Sequence, residues 1–361
     1  MISRKVSRHG SSARAAWDVP CRVMSPAPRS EWEAVLASDP GGLVCHSPRW
    51  VDFVCRAGGY EDTSRLYELP GGRVLVMPMV RRRGVEASLP PSWGMGGLVA
   101  PEGVRLADAV VAAADLTTRG GLRTTLRPNP LDAETWRVAL AGRAVTVPRL
   151  AHLLPLDGGF DRVWMERFTK GARRAVRKAE RAGLEVERDT SGRLVPVLYE
   201  LFERSVERWA MQQHEPRLLT RVRGHRRDSR RKFKLMAGAL GDACRIWVAC
   251  YEGRPAAAIL VLQGTNAHYW RGMIDKELAG PTRANYLLHK LAIEEACAAG
   301  CRYYDMGESG SSASVAHFKT RFGALPHPHA DFHIERLPVT ALDRQARRVV
   351  KRAVGFREAS A

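Results

Sequence analysis

The order of elements along this 361-residue chain predicts an α/β (α+β) protein built from two tandem units, each a mixed sheet flanked by helices. Three observations carry that expectation. Helical periodicity alternates with short apolar runs over the whole length. The second half reads helix, helix, three antiparallel strands, helix, strand, helix, strand. The first half is a weaker version of the same order, with no short-period repeat of the solenoid kind. The expected boundaries are 1–20 for a disordered basic leader, 21–155 for the first unit and 156–339 for the second. A terminal helix over 340–357 is expected to pack on the first unit.

In the first unit, SEWEAVLASD reads as a helix. SPRWVDFVCRAGG reads as another, opening at Ser47 with Pro48 in its first turn and a Gly-Gly stop. RLYELPGGRVLVMPMVRRR sets two apolar runs around Pro-Gly-Gly, a hairpin signal. SLPPSWGMGGLVAP is a Gly/Pro loop, RLADAVVAAADLTTRGG an amphipathic helix, and GLRTTLRP and RAVTVPRLAHLLPL are strands. In the second unit, DRVWMERFTKGARRAVRKAERAGLEVER reads as one helix, a glycine and a strand. VPVLYELFERSVERWAMQQ is helical, and RLLTRVRGHRRDSRRKFKLMAGALGD is basic and helical in its second half. CRIWVACYEGRPAAAILVLQGTNAHYWRGMID gives three strands. ANYLLHKLAIEEACAAG sets Leu287, Leu288, Leu291, Ala292 and Ala298 on one helix face. CRYYDMG is a strand, followed by the loop GESGSSAS, the stretch FKTRFG, a last strand HPHADFHIERL and a basic helix ALDRQARRVVKRAVGF.

With 45% apolar and 26% charged residues the composition is that of a soluble globular protein, and no apolar run is long enough for a bilayer. The N-terminus is basic and Ser-rich without an apolar segment, which predicts a cytoplasmic protein without membrane insertion. Seven cysteines at irregular spacing, none in CxxC, predict reduced thiols. The net charge of +19 points to a polyanionic partner. Only nine of the 57 basic residues are lysine, so a lysine between two phenylalanines in HFKTRFG stands out.

Several stretches resemble one family. HSPRW at His46–Trp50 resembles the Q-S-x-x-W opening of the Fem-type enzymes, the aminoacyl-tRNA-dependent peptidyltransferases of the GNAT superfamily. FTKGARRAVRKAERAGLEV resembles that family's basic helix. YYDMGESG followed by HFKTRFGA resembles its D-x-G loop and F-K-x-x-F-G signature. The resemblance spans roughly residues 40–335. It implies two tandem GNAT-like acyltransferase domains, a catalytic Lys319 and a Phe318 that shapes its pocket. The chemistry fits: an amine attacking an ester builds a negative oxygen, and one positioned donor stabilises it by roughly 3–4 kcal/mol. From spacing alone, an exposed helix lysine reads equally well. Asp305, as a nearby carboxylate, would take the amine proton or pair the lysine. Trp50, Trp93, Arg208, Tyr269, Trp270 and Glu308 are candidates for a substrate cleft by position, with a packed turn the plainer reading of Trp93 and its GMGG loop.

Two acyl donors compete. Coenzyme A needs a glycine-rich anion cradle before a helix. The matching place reads KELAGPTRAN, with one glycine followed by proline, so acyl-CoA is the alternative. Aminoacyl-tRNA fits the basic excess as co-substrate. Residues Arg162–Arg188 carry nine basic side chains and Arg217–Lys234 another nine. Arg173, Arg174, Arg177, Lys178, Arg226, Arg227, Arg230 and Arg231 are the expected tRNA contacts, supplemented by the terminal helix. Cell-wall members of the family carry a lysine shortly after the opening tryptophan. Here Val51–Cys55 follow Trp50, so a small amine or peptide-like acceptor, such as a secondary-metabolite intermediate, stands beside a peptidoglycan precursor. His327, His329, Asp331 and His333 share one side of a strand and read as its polar face rather than a metal site. No metal or redox cofactor is expected. A non-catalytic nucleic-acid-binding protein is the third reading.

Overall fold

A computed structural model describes residues 21–118, 121–212, 216–310 and 312–353. The expected leader and the end of the expected last helix lie outside these residues. The strands are β1 (Arg22–Met24), β2 (Glu61–Asp62), β3 (Arg65–Glu68), β4 (Val74–Met77), β5 (Val80–Arg82), β6 (Val85–Ser88) and β7 (Arg123–Leu126). Then come β8 (Val145–Pro155), β9 (Glu185–Asp189), β10 (Cys244–Tyr251), β11 (Arg254–Gln263), β12 (Ala267–Ile274), β13 (Tyr303–Glu308) and β14 (Leu325–Glu335). The helices are α1 (Arg29–Ser38), α2 (Pro48–Gly58), α3 (Leu106–Thr118), α4 (Ala133–Ala139), α5 (Gly159–Arg162), α6 (Lys170–Glu180) and α7 (Val195–Gln212). They continue with α8 (Arg217–Arg227), α9 (Arg230–Leu240), α10 (Lys276–Thr282), α11 (Ala284–Ala298), α12 (Ala313–Thr320) and α13 (Val339–Ala353).

Strands β1, β3 and β4 form a small antiparallel sheet. The other eleven form one sheet in the order β2-β5-β6-β7-β14-β8-β13-β12-β11-β10-β9. The two halves of the chain meet in it through β14. This late strand pairs antiparallel with β7 on one side and with β8 on the other, from Leu325 opposite Leu153 to His333 opposite Val145. In β11 the side-chain alternation divides the core. Ala258, Leu260 and Leu262 pack with Trp50, Phe53, Phe202, Phe233 and Trp270, whereas Ala257, Ile259 and Val261 pack with Phe168, Val176, Leu288 and Phe322. A third core, with Tyr67, Leu75, Trp136 and Phe332, fills the space by α3 and α4.

Local chemistry sets the boundaries. Ser47 accepts the Trp50 amide at the start of α2, and Gly59 ends it in the left-handed region. The expected single helix after Asp161 is broken: a π turn over Val163–Arg167 stops at Phe168, which is buried, and the Thr169 side chain caps a new helix, α6. The basic stretch after Pro216 is helical in both halves, because Ser229 caps α9 directly after α8. On α11, Ala298 is exposed and His289 takes a place on the buried face with Leu288, Ala292 and Ile293. On α13, Leu342, Val349 and Val350 are exposed.

One feature positions the site. Strands β12 and β13 are parallel partners only at Ala267–Tyr304 and His268–Asp305. Past that point they separate, and β13 shifts register against β8 between Asp305 and Glu308, with Gly307 at φ +72. At this bulge the Gly307 and Glu308 carbonyls accept from a side-chain donor.

Candidate active site

Lys319 supplies that donor. Ser312 caps α12 by accepting the Val315 amide. Phe322 is fully buried, with its ring 5.1 Å edge-on from Phe168. Gly323 follows at φ +85, and a Cβ there would stand 2.5 Å from the Arg167 carbonyl oxygen. Only glycine fits, and this turn anchors α12 so that Lys319 points inward, 2% exposed. Its Nζ donates to the carbonyls of Gly307 and Glu308, each at 2.8 Å. Its third N–H has no acceptor among the described residues. Burial pulls the ammonium down to about 8, against the pull of Asp305 and Glu308. Phe318 packs edge-on against Tyr286, His289 and Phe322 at 5.1–5.4 Å, beside the lysine stem.

Asp305 is fully buried. Its Oδ2 lies 2.5 Å from His268 Nδ1, and its Oδ1 accepts the Gly307 amide at 2.7 Å. Burial pushes this carboxyl up, but His268, the Gly307 amide and Lys319 together hold it below its ordinary value. The Glu308 side chain, 29% exposed, carries the site toward solvent, with Arg127 donating to it at 3.1 Å. Ser309 Oγ meets His152 Nδ1 at 2.9 Å. Burial, then Lys319, depresses His152 and holds His289 at about 3, so both imidazoles near the lysine are neutral at pH 7.

The other expected site residues fall into two groups. Trp50 is fully buried, its indole N–H donating to the Trp93 carbonyl at 2.9 Å and its ring 4.9 Å from Trp270. Trp93 and Trp270 flank a second buried lysine, Lys232, whose Nζ is 4.1 Å and 5.8 Å from their ring centres. Lys232 donates to the carbonyls of Ser92 and Arg227 and to Asp228, and burial holds it at about 8. Asp228 also takes Arg271 and Arg227; burial pushes it up, but these cations hold it at about 2. Arg208 donates to the Ile274 carbonyl, and the Tyr269 phenol, raised to about 12 by burial, sits over Gly272. Asp305, Lys319, Phe318 and Glu308 therefore gather at the strand bulge. Trp50, Trp93 and Trp270 gather around Lys232 instead.

Of the expected tRNA contacts, Arg174, Arg177, Lys178, Arg226, Arg227, Arg230 and Arg231 are exposed. Arg173 is committed to its own fold: its guanidinium donates to the carbonyls of Trp164, Met165 and Phe168, closing the π turn. On β14, Asp331 takes two bonds from Arg149, and His333 Nδ1 lies near Arg123 and Thr125. Among the described residues no three His, Cys, Asp or Glu side chains are arranged to hold a metal ion. No described helix is long and apolar enough to cross a membrane. The anion cradle before α11 is replaced by helix α10, with Pro281 inside it and Arg283 in the left-handed conformation. Sequence reasoning passed over His268 and Lys232. Both sit in stretches whose composition hides them, one in a strand and one in an arginine-rich helix.

Residues 166–320 match the model of the acetyltransferase (GNAT) domain. No curated protein matches the sequence. Among solved structures, the chain is similar to FemX, with a TM-score of 0.62 at 13% identity over 89% of this chain and 99% of that one. It is also similar to a conserved protein of unknown function from Bacteroides thetaiotaomicron VPI-5482, with a TM-score of 0.50 at 10% identity over 87% of this chain and 98% of that one. At such identities the likeness is one of fold: a mixed α/β fold shared with FemX over most of both chains, with the match to the GNAT domain model confined to residues 166–320.

Proposed function

We propose that this chain, on its FemX-like fold, is an aminoacyltransferase that forms an amide. The amino acid comes from an aminoacyl-tRNA, and the acceptor is the amine of a small or peptide-like molecule. One observation carries this reading: a buried ammonium is held on two bulge carbonyls with one N–H uncommitted, beside Asp305 and the partly open Glu308. That is an oxyanion donor. As the amine adds to the ester carbonyl, negative charge develops on oxygen, and Lys319 meets it without reorganising. The exposed cations of α6, α8 and α9 give a polyanionic donor a surface. The helix in place of a glycine cradle before α11 favours tRNA over coenzyme A.

A second reading, an acyl-CoA N-acyltransferase, is favoured by the match of residues 166–320 to the acetyltransferase domain model. Purified protein mixed with total aminoacylated tRNA, deacylated tRNA and acetyl-CoA at two salt concentrations separates them. The tRNA reading expects salt-sensitive tRNA binding and loss of the aminoacyl ester when an amine is supplied. Coenzyme A binding without tRNA binding would move the assignment to the second reading.

A further inference from the structure

Lys319 stabilises charge on oxygen but leaves the proton of the attacking amine without a destination. Asp305 is a poor acceptor: its carboxylate is buried, already bonded to His268 Nδ1 and the Gly307 amide, and held below its ordinary value by His268 and its other partners. His268 is the histidine near the bulge with a ring nitrogen hydrogen-bonded to a carboxylate among the described residues. His289 Nδ1 and both nitrogens of His329 are sealed from solvent without hydrogen-bond partners, His329 Nε2 lying 3.7 Å from Glu308 Oε1, and His46 takes the Leu43 amide on Nδ1 with Nε2 sealed. Ser309 occupies Nδ1 of His152. His268 has one nitrogen on a carboxylate, while Nε2 has no partner among the described residues and is not one of the sealed atoms. Its side chain is 11% exposed. Asp305 accepts Nδ1–H and so fixes the tautomer, leaving a lone pair on Nε2. The strand register makes this pairing: His268 and Asp305 are the last partners before β12 and β13 separate, two residues ahead of the Gly307 carbonyl that takes Lys319, with the His268 ring 5.8 Å from that of Trp270.

Resting on the aminoacyl-transfer reading, we infer that His268 is the general base of this site, held by Asp305 as a positioning residue. The amine nitrogen forms a bond to the ester carbonyl carbon, and the carbonyl π pair moves onto oxygen, against Lys319. Nε2 takes the proton from that nitrogen. The C–O ester bond then breaks, and the leaving ribose oxygen takes the proton back from the imidazolium, giving an amide and deacylated tRNA. The charged and titratable groups around the pair are Lys319 from α12, Cys45 and His46 before α2, and His152 from β8. His327 and His329 from β14 and Tyr303 and Tyr304 on β13 lie around it as well.

The test measures single-turnover loss of the aminoacyl ester for wild type, His268→Gln, His268→Ala and Asp305→Asn, with and without added imidazole. The expected loss for the His268 variants is on the order of 10²–10⁴-fold, in kcat rather than KM, with disappearance of the ascending limb of the pH profile. Imidazole restores His268→Ala in part, which a merely structural role would not give. Wild-type rates and an unchanged pH profile in a folded His268→Gln would overturn the base and leave the transferase reading standing. If wild type consumes acyl-CoA instead of aminoacyl-tRNA, the donor reading fails and the same variants are read with that donor. If it consumes neither, diethyl pyrocarbonate decides: fast modification of His268 in wild type, slowed in Asp305→Asn, supports the open Nε2. An unreactive His268 overturns it.

Discussion

Lys319 shows why lysine stands where the chain otherwise prefers arginine. A compact ammonium reaches two adjacent carbonyls and keeps one donor free, which a planar guanidinium cannot reproduce in the same space. Lys319→Ala is expected to lower kcat about 10²–10³-fold in an aminoacyl-transfer assay, with Lys319→Arg recovering little of it. The pH sign follows from burial. The lysine loses its proton near 8, so its charge is present below that pH and lost above it. The rate should fall as pH rises through about 8 in wild type, and a flat profile from 7 to 9.5 would remove the ammonium from the mechanism. At this scale the sequence was half legible. The resemblance implied a role for Lys319, but the burial that sets its pH range comes from Phe322 and Gly323 closing the turn behind it. The partner of Asp305, 37 residues away, exists only once β12 and β13 are in register.

At the scale of elements, legibility followed local signals. Ser47, Pro48 and Gly59 mark α2 with side chains that act on their own backbone, and the helix lies where they place it. The π turn before α6 has no such mark. Its cause is the aromatic cluster that takes Phe168 into the core, a tertiary effect overriding helical periodicity. The same turn reassigns Arg173, counted in the sequence among the tRNA contacts. Three carbonyl acceptors hold its guanidinium, so Arg173→Ala should lower thermal stability by about 1–3 kcal/mol. Its effect on tRNA affinity should be smaller than that of Arg177→Ala, measured side by side. Gly323→Ala belongs to the same junction. Positive φ and a 2.5 Å approach to the Arg167 carbonyl together predict a loss of about 2–4 kcal/mol in urea unfolding. Transfer activity should fall with it, because α12 carries Lys319.

For the molecule as a whole, net charge and connectivity act together. Strand β14 returns from the end of the chain to pair with β7 and β8, so Arg127 of the first half reaches Glu308 and Asp331 of the second. The bulge with Lys319 therefore lies where both halves contribute charge. Composition alone registered the excess of +19 but not its arrangement. In the basic stretch around Asp228, Lys232 is buried and Arg227, though exposed, shares the Asp228 carboxylate with it and with Arg271 from β12. The exposed set on α6 is different: Arg174, Arg177 and Lys178 lie three and four residues apart, on one helix face, with no fold to hold. If this face meets a phosphate backbone, each contact adds about 0.7–0.9 to the slope of log K against log salt. Changing all three to glutamate should then lower that slope by about 2–3 and weaken binding of aminoacylated and deacylated tRNA alike. Lys232→Met, on a buried cation, should leave the slope unchanged. A slope that moves equally in both variants would mean that net charge, not this surface, governs the encounter.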